Sequence, residues 1–386
     1  MKPFSFNEIL KEWSAERILE LYSKITEEDI LTALNKENLF IKDLIALLSP
    51  SAQPHLEKIA QKAHKITRQH FGRTISIYAP LYLSNHCTSD CIYCFFSPRS
   101  GIKEKRVTLT FNEIEEECKS LSSKGIQTVL LLTGDAPKIA NLEYLAKATH
   151  LAKKYFHSVS LEVYAMEESG YATLVEHGAE GITLYMETYD KETYDKVHLF
   201  GKKKDYFFRL HALERAGRAG VRKLTCGVLL GLSDWHCDVI WLALHAKYLQ
   251  KVCWQSTIAL SFPRLKHTPP RFQLPNPVSL NELVQIIVAM RLFLPYSPFN
   301  LSTREPAEVR DHLIPLGITS MSAGSSTRPG GYSVYKTSSD EGEKPVLMQF
   351  EIDDTRTVDE VVEAIKRRNY DPVWVDFDPG SLIETK

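Results

Sequence analysis

The sequence predicts a (β/α) barrel, with helices added before it and a segment wrapped on after it. Three observations carry this expectation. Strand-like and helix-like segments alternate about eight times between residues 75 and 322. The strand-like segments are short apolar runs of the kind buried inside parallel sheets. No internal repeat or low-complexity tract interrupts the pattern. Such alternation implies a parallel sheet with helices outside, most simply a closed barrel whose functional residues sit at the C-terminal strand ends. The expected division is an N-terminal helical extension over 1–72, a barrel over 73–330 and a C-terminal extension over 331–386.

The first part reads as helices. Residues 7–22 carry Ile9, Leu10, Trp13, Ile18, Leu19 and Leu21 at helical spacing, and 27–34, 41–48 and 54–71 follow suit. The first strand is expected over 75–83. A helix over 110–123 opens on Thr110 and Glu113 as a capping box and stops before Gly125. Strands are then expected over 128–132, 159–163, 182–185, 223–229, 256–261, 299–302 and 318–321. The helices between them fall over 142–154, 168–176, 205–219, 239–249, 280–293 and 307–312. The tail adds a helix over 358–367 and an aromatic-rich stretch, 370–377, expected to wrap the barrel.

Composition narrows the function. Hydrophobic residues make up 44% and charged residues 25%, as in an ordinary soluble globular chain. With 47 basic and 48 acidic residues, nothing global draws the protein to nucleic acid or a membrane surface. The most apolar window, 283–294, is too short to span a bilayer and contains Arg291. The opening residues lack the apolar run of a secretory signal, so a soluble, cytoplasmic protein is expected. Seven cysteines is an odd number, and three crowd into Cys87-Thr88-Ser89-Asp90-Cys91-Ile92-Tyr93-Cys94. That is metal or redox chemistry rather than a disulfide framework.

The cysteine cluster is the strongest signal in the chain. Three thiolates at this spacing, on a loop directly after a strand, can wrap one cubane iron–sulfur cluster. A cubane has four irons, so three close ligands leave one iron open. Zinc is the alternative, but it wants four closed ligands. The other cysteines, Cys118, Cys226, Cys237 and Cys253, are isolated, and Cys118 reads as lying in a surface helix.

A C-x3-C-x2-C loop with the aromatic Tyr93 before its last cysteine, at the top of the first barrel strand, resembles the radical S-adenosylmethionine superfamily. The resemblance implies a [4Fe-4S] cluster on Cys87, Cys91 and Cys94, with S-adenosylmethionine on the open iron. Further stretches are similar to the 2-iminoacetate synthase family, the tyrosine lyases of thiamine thiazole biosynthesis. They are 82–97, Glu187-Thr188-Tyr189, Thr193-Tyr194, 201–206 and Gly231-Leu232-Ser233-Asp234. Ser261-Phe262-Pro263-Arg264-Leu265, Leu301-Ser302-Thr303-Arg304-Glu305 and Ser322-Ala323-Gly324-Ser325-Ser326 extend the match. This implies cleavage of the Cα–Cβ bond of L-tyrosine to 2-iminoacetate and p-cresol by a 5′-deoxyadenosyl radical. It implies two partners as well, a thiazole synthase subunit that takes the product and a flavodoxin or ferredoxin that supplies electrons. The related hydrogenase-maturation enzyme carries later cysteines for a second cluster. This chain has none after Cys253.

Individual residues then acquire expected roles. Tyr93, Thr133, Gly134, Asp135 and Glu162 are the expected cofactor contacts. The resemblance places backbone carbonyls and an acid at Thr133-Gly134-Asp135 around the cofactor's ammonium, although taken alone the run reads as an ordinary turn. Glu162 alternates with Val159, Leu161 and Val163, and a carboxylate inside a barrel needs a polar partner such as ribose hydroxyls, or else a salt bridge. Arg264 and Arg304 follow apolar strands and offer planar forks for carboxylates, or for structural ion pairs such as Arg304 with Glu305. By resemblance Ser261, Arg264 and Arg304 anchor tyrosine. Glu187 and Tyr189, just past a strand end, belong to the same expected pocket. Lys202-Lys203-Lys204 reads as a solvated basic turn. Gly324-Ser325-Ser326 suits either cofactor contact or any tight loop.

The chain departs from the family pattern at Phe95, Asp135, Tyr164 and Met186. Those departures keep open a radical enzyme of the same fold acting on another aromatic amino acid. A non-catalytic cluster-binding subunit is the remaining alternative.

Overall fold

A computed structural model of the chain describes residues 5–335 and 344–375. The central sheet has nine strands, eight of which close into a parallel ring. In chain order the ring is β1 (Thr74–Ser84), β2 (Thr128–Thr133), β3 (Ser158–Glu162), β4 (Gly181–Thr183), β5 (Lys223–Gly227), β6 (Thr257–Ser261), β7 (Phe299–Leu301) and β8 (Ser320–Ser322). Each strand pairs with the next, and β1 pairs with β8 through Ser76–Tyr78 to close the barrel. β9 (Asp371–Val373) lies beside Thr74–Ser76 of β1, so the tail wraps the barrel through a ninth strand.

Strand alternation sorts side chains to the two faces of the ring. On β1, Ile75, Ile77, Ala79, Leu81 and Leu83 are buried in the main hydrophobic core. Tyr78, Pro80 and Tyr82 point the other way and line the cavity at the top of the barrel. Lower in the barrel, Ser76, Ser158, Ser160, Thr183, Thr225 and Ser320 line a second cavity. Small hydroxyl residues stand where a filled barrel would carry branched apolar side chains, so the interior is left open.

Several helices begin where the capping residues dictate. Thr110, Ser279 and Thr357 each form a reciprocal capping box with a glutamate three residues on. The helix expected over 7–22 is two helices, Phe6–Glu12 and Ala15–Ser23. Ser14 accepts from the amide of Arg17 and restarts the helix there. The single helix expected over 205–219 is likewise split, into Tyr206–Leu210 and Ala212–Arg218. Cys118, read as a surface residue, is fully buried.

The N-terminal helices share one continuous core with the barrel. The Phe6 ring stacks on His245 at 4.3 Å. Gln285 caps two carbonyls at the end of the helix Ile41–Leu48, those of Leu47 and Ser49, at 3.0 and 2.9 Å. No helix among the described residues is long and apolar enough to cross a membrane. Of the tail's aromatic stretch, Phe377 lies outside the described residues.

The tail is tied down by a buried ion pair. Arg310 reaches the carboxylate of Asp354 and the carbonyl of Ser322 at the end of β8, and both charged side chains are essentially inaccessible. Arg356 also holds Asp354, at 2.7 Å. Arg310→Met leaves Asp354 to Arg356 alone and the Ser322 carbonyl without its charged donor. The unfolding free energy should fall by about 1.5–3 kcal/mol, read from the denaturant midpoint.

Candidate active site

The cavity at the C-terminal strand ends brings together residues from most of the ring. Its walls include Tyr82 of β1, Glu162 at the end of β3, Glu187 after β4, Ser302 to Arg304 after β7, and Ser325 after β8. Cys94 and Tyr93 form one side. Gln349 and Phe350, from the C-terminal extension, form another.

The cysteine loop leaves the top of β1 and is stitched to the loop after β2. Asp135 accepts at its carbonyl from the Thr88 amide and hydroxyl, at 2.8 and 2.7 Å. Its carboxylate accepts from the Ser89 hydroxyl at 2.5 Å. Gly134 makes this possible, because a Cβ there would lie 2.2 Å from the carbonyl oxygen of His86. Gly134→Ala must therefore push the two loops apart. Iron bound after reconstitution is expected to fall well below the parent's, with the fold retained by circular dichroism.

The three cysteines of the loop are all free thiols, the donor chemistry an iron–sulfur cluster takes. Burial, first, and then the neighbouring cysteines push Cys87 and Cys94 up to about 11. Burial pushes Cys91 up to about 12. Without metal they are neutral, and cationic iron must displace their protons. Two buried polar atoms beside the loop, Oγ1 of Thr133 and Oδ1 of Asp135, have no partner among the described residues. They are available to a bound polar group such as an ammonium.

Electrostatics in the cavity centre on two carboxylates. Burial, and then the charge of Glu187, raises Glu162 to about 7. Glu187 is held by Lys203 at 2.5 Å and Arg209 at 3.4 Å. Its backbone sits at φ 70, an unusual place for a side chain other than glycine. The next two residues fix it there. The Thr188 hydroxyl and the Tyr189 amide both donate to buried Asp238, at 3.0 and 2.7 Å. Behind the cysteines, the Tyr93 hydroxyl lies 2.8 Å from Nε2 of His198. Burial holds His198 well below its ordinary pKa, and its Nδ1 faces the Tyr194 carbonyl at 2.9 Å. The imidazole thus donates through Nδ1 and accepts from Tyr93.

The two expected arginines have different surroundings. Arg264 makes a two-pronged pair with Glu305, through Nε at 2.8 Å and through Nη2, and also donates to the Val278 carbonyl. It does not line the cavity, so its fork is already taken. Arg304 does line it, with its guanidinium 3.5 Å over the Phe350 ring. Among the described residues it has no carboxylate partner.

Three other placements differ from expectation. Tyr189 turns into the core, where its hydroxyl meets His245 at 2.7 Å. Ser261 lies outside the main cavity, facing the Asn300 carbonyl at 3.5 Å. Lys203, expected in solvent, points inward to Glu187. Of the departures, Tyr164 donates to the Ala140 carbonyl and Met186 is buried in the core, and neither lines the cavity. Phe95 packs against the small buried cluster of Tyr82, Phe96, Leu132 and Leu347. Tyr82, at the head of the 82–97 stretch, shares a hydrogen bond at 2.5 Å with Gln349, and Gln349 and Phe350 complete the cavity although nothing in their own sequence neighbourhood marks them.

A closed parallel barrel with a three-cysteine loop at the top of its first strand defines a radical S-adenosylmethionine enzyme, and residues 81–240 match the Radical SAM superfamily. Members of that superfamily use a [4Fe-4S] cluster and S-adenosylmethionine. Residues 261–371 match the Biotin and Thiamin Synthesis associated domain. The chain belongs to the 2-iminoacetate synthase family. It is 40% identical to the 2-iminoacetate synthase of Salmonella typhimurium over 98% of this chain and 97% of that protein. The Escherichia coli protein gives the same identity and coverage. Among solved structures, the FeFe-hydrogenase maturase HydG from Carboxydothermus hydrogenoformans superposes with a TM-score of 0.87. It is 29% identical, and the match covers 97% of this chain and 86% of that one.

Proposed function

We propose that the protein cleaves the Cα–Cβ bond of L-tyrosine, giving 2-iminoacetate and p-cresol for the thiazole ring of thiamine. The observation that carries this reading is Arg304, an uncommitted guanidinium in the cavity that the cysteine loop borders. It suits an amino-acid carboxylate. When bound, the cluster and S-adenosylmethionine supply a 5′-deoxyadenosyl radical, which takes a hydrogen atom from the amino group of tyrosine.

The chain's own residues bind and orient. Cys87, Cys91 and Cys94 hold the cluster. Thr133, Gly134 and Asp135 receive the cofactor's ammonium, Tyr93 borders it, and Glu162 accepts from its ribose hydroxyls. Glu187, locked by Lys203 and Arg209, shapes the substrate side with Arg304. The apolar faces of Tyr82, Leu132, Leu229 and Phe350 keep water from the radical. A thiazole synthase subunit is the expected acceptor of the hydrolysable product, flavodoxin or ferredoxin the expected electron source, and the cytoplasm the expected location.

The test uses protein purified and reconstituted without oxygen, reduced with dithionite and given S-adenosylmethionine and tyrosine. 5′-Deoxyadenosine and p-cresol should appear together. 5′-Deoxyadenosine without p-cresol would sink tyrosine as substrate and leave the radical chemistry. Neither product from protein with a full cluster would sink both.

A further inference from the structure

The cysteine loop contains a carboxylate that the chemistry of the cavity does not use. Asp90 directly precedes Cys91, and its side chain is 1% exposed. Its Oδ1 accepts from the Ser97 hydroxyl at 2.6 Å, which closes the loop on itself across Cys91 and Cys94. Its Oδ2 has no hydrogen-bond partner among the described residues, and Arg99, largely in solvent, stands 3.8 Å away. A carboxylate buried this deeply is costly unless a cation meets it.

The cation comes from a distant part of the chain. Between β6 and the helix Leu280–Phe293 the backbone turns at Pro269, whose carbonyl accepts from the Phe272 amide at 2.9 Å. The Thr268 hydroxyl donates to the Phe272 carbonyl at 2.9 Å and fixes the same turn. Phe272 and Leu274 then pack against the small apolar cluster that contains Cys91 and Tyr93. Arg271 reaches from this turn across the cysteine loop. Its Nη2 donates to Asp90 at 2.5 Å, to the Ser97 hydroxyl at 2.9 Å and to the Cys91 carbonyl at 3.4 Å. Arg271 does not line the cavity, so its charge is committed to the loop and not to a ligand there.

We propose, on the reading of Cys87, Cys91 and Cys94 as cluster ligands, that Arg271 is a positioning residue for the cluster. It holds the cysteine loop closed and, by neutralising Asp90, raises the reduction potential of the bound cluster. Net charge and hydrogen bonds around a cluster set its potential. Three thiolates make the site anionic, and the incoming electron adds to that charge. A bare carboxylate beside a ligand would oppose reduction, and the guanidinium cancels it. In a poorly solvated setting that cancellation is worth about tenfold in the one-electron equilibrium. Arg271 takes no part in the transfer itself. One electron passes from an external reductant to the cluster, and no bond in the loop forms or breaks.

The test is an anaerobic redox titration of the reconstituted holoenzyme with dithionite. The reduced cluster is read by electron paramagnetic resonance, and iron is counted in each variant. Arg271→Gln should shift the one-electron equilibrium about tenfold away from the reduced cluster, about 59 mV more negative. Asp90→Asn keeps the acceptor for Ser97 but leaves the guanidinium uncompensated, so its potential should move the opposite way. The double variant Arg271→Gln/Asp90→Asn should return close to wild type. Arg271→Lys, which keeps the charge without the fork, should recover most of the loss. A purely structural role would lose iron at an unchanged potential, with no recovery in the double variant. Equal potentials throughout, or a double variant as low as Arg271→Gln, would overturn the proposal. Where Arg271→Gln fails to hold its cluster, Asp90→Asn decides, and a potential at or below wild type overturns the proposal. Wild-type protein that takes up no reducible cluster would instead strike the reading of the three cysteines. Tyrosine and p-cresol play no part in the titration, so the substrate reading stands or falls separately.

Discussion

Cys91→Ala should leave a folded protein that binds little iron and makes neither 5′-deoxyadenosine nor p-cresol above background. The residue is buried in a small apolar cluster with Tyr93, Val197, Leu229, Leu232 and Leu265, separate from the main core, and its backbone pairs with His198. Removing one sulfur therefore costs little packing. It costs the cluster, because two remaining thiolates cannot wrap a cubane that uses three. The thiols' raised pKa values sharpen the expectation. Each ligand must lose a proton that burial favours keeping, and binding iron must offset that cost. Cluster assembly should release protons and weaken steeply as pH falls. The control is Cys226→Ala, at a buried cysteine of β5 whose only described partner is the Ala259 carbonyl at 3.6 Å. It should keep its iron and lose at most some stability. Iron and sulfide analysis with circular dichroism distinguishes the two variants, and a Cys91→Ala protein with full iron would remove this loop as the ligand set.

What was legible in the sequence was local. The three cysteines fall within one loop, and their spacing alone implies a shared ion cluster. Glu162 stands out because one acid interrupts an otherwise apolar alternation. Strand order followed from the alternation of elements, since each strand pairs with its successor. What was not legible depends on closure. Tyr82 meets Gln349 across 267 residues, and no local pattern marks Gln349 as its partner. Lys203 sits in a lysine run that reads as solvated, yet the turn at Gly201 swings it inward. Tyr189 was expected beside Glu187 because both follow one strand. The positive φ of Glu187 breaks the strand's phase, so the two side chains diverge. Arg264 and Arg304 look alike in sequence, each at a strand end with apolar neighbours. Only the fold shows that Glu305 takes the first.

That difference sets up the second large effect. Arg304→Gln should lower kcat/KM for tyrosine about 30- to 1000-fold, mostly through KM, with the cluster and the fold intact. The guanidinium stacks on Phe350 and has no carboxylate partner among the described residues, so its charge is available to a ligand. Holding an unpaired cation in a largely closed cavity carries a desolvation cost, which a bound carboxylate offsets. Losing a charge-assisted, two-pronged hydrogen bond costs about 2–4 kcal/mol, which gives the range stated. Arg304→Lys should recover part of the loss, as a point charge without the fork. Arg264→Gln should behave oppositely. It breaks the pair with Glu305, leaving that buried carboxylate to Lys266 at 3.2 Å, so stability falls while the KM of the folded fraction stays near the parent's. Steady-state p-cresol formation over a tyrosine series, paired with thermal unfolding, measures both. A KM shift in Arg264→Gln with none in Arg304→Gln would exchange their roles and move the substrate carboxylate to the other side of β7.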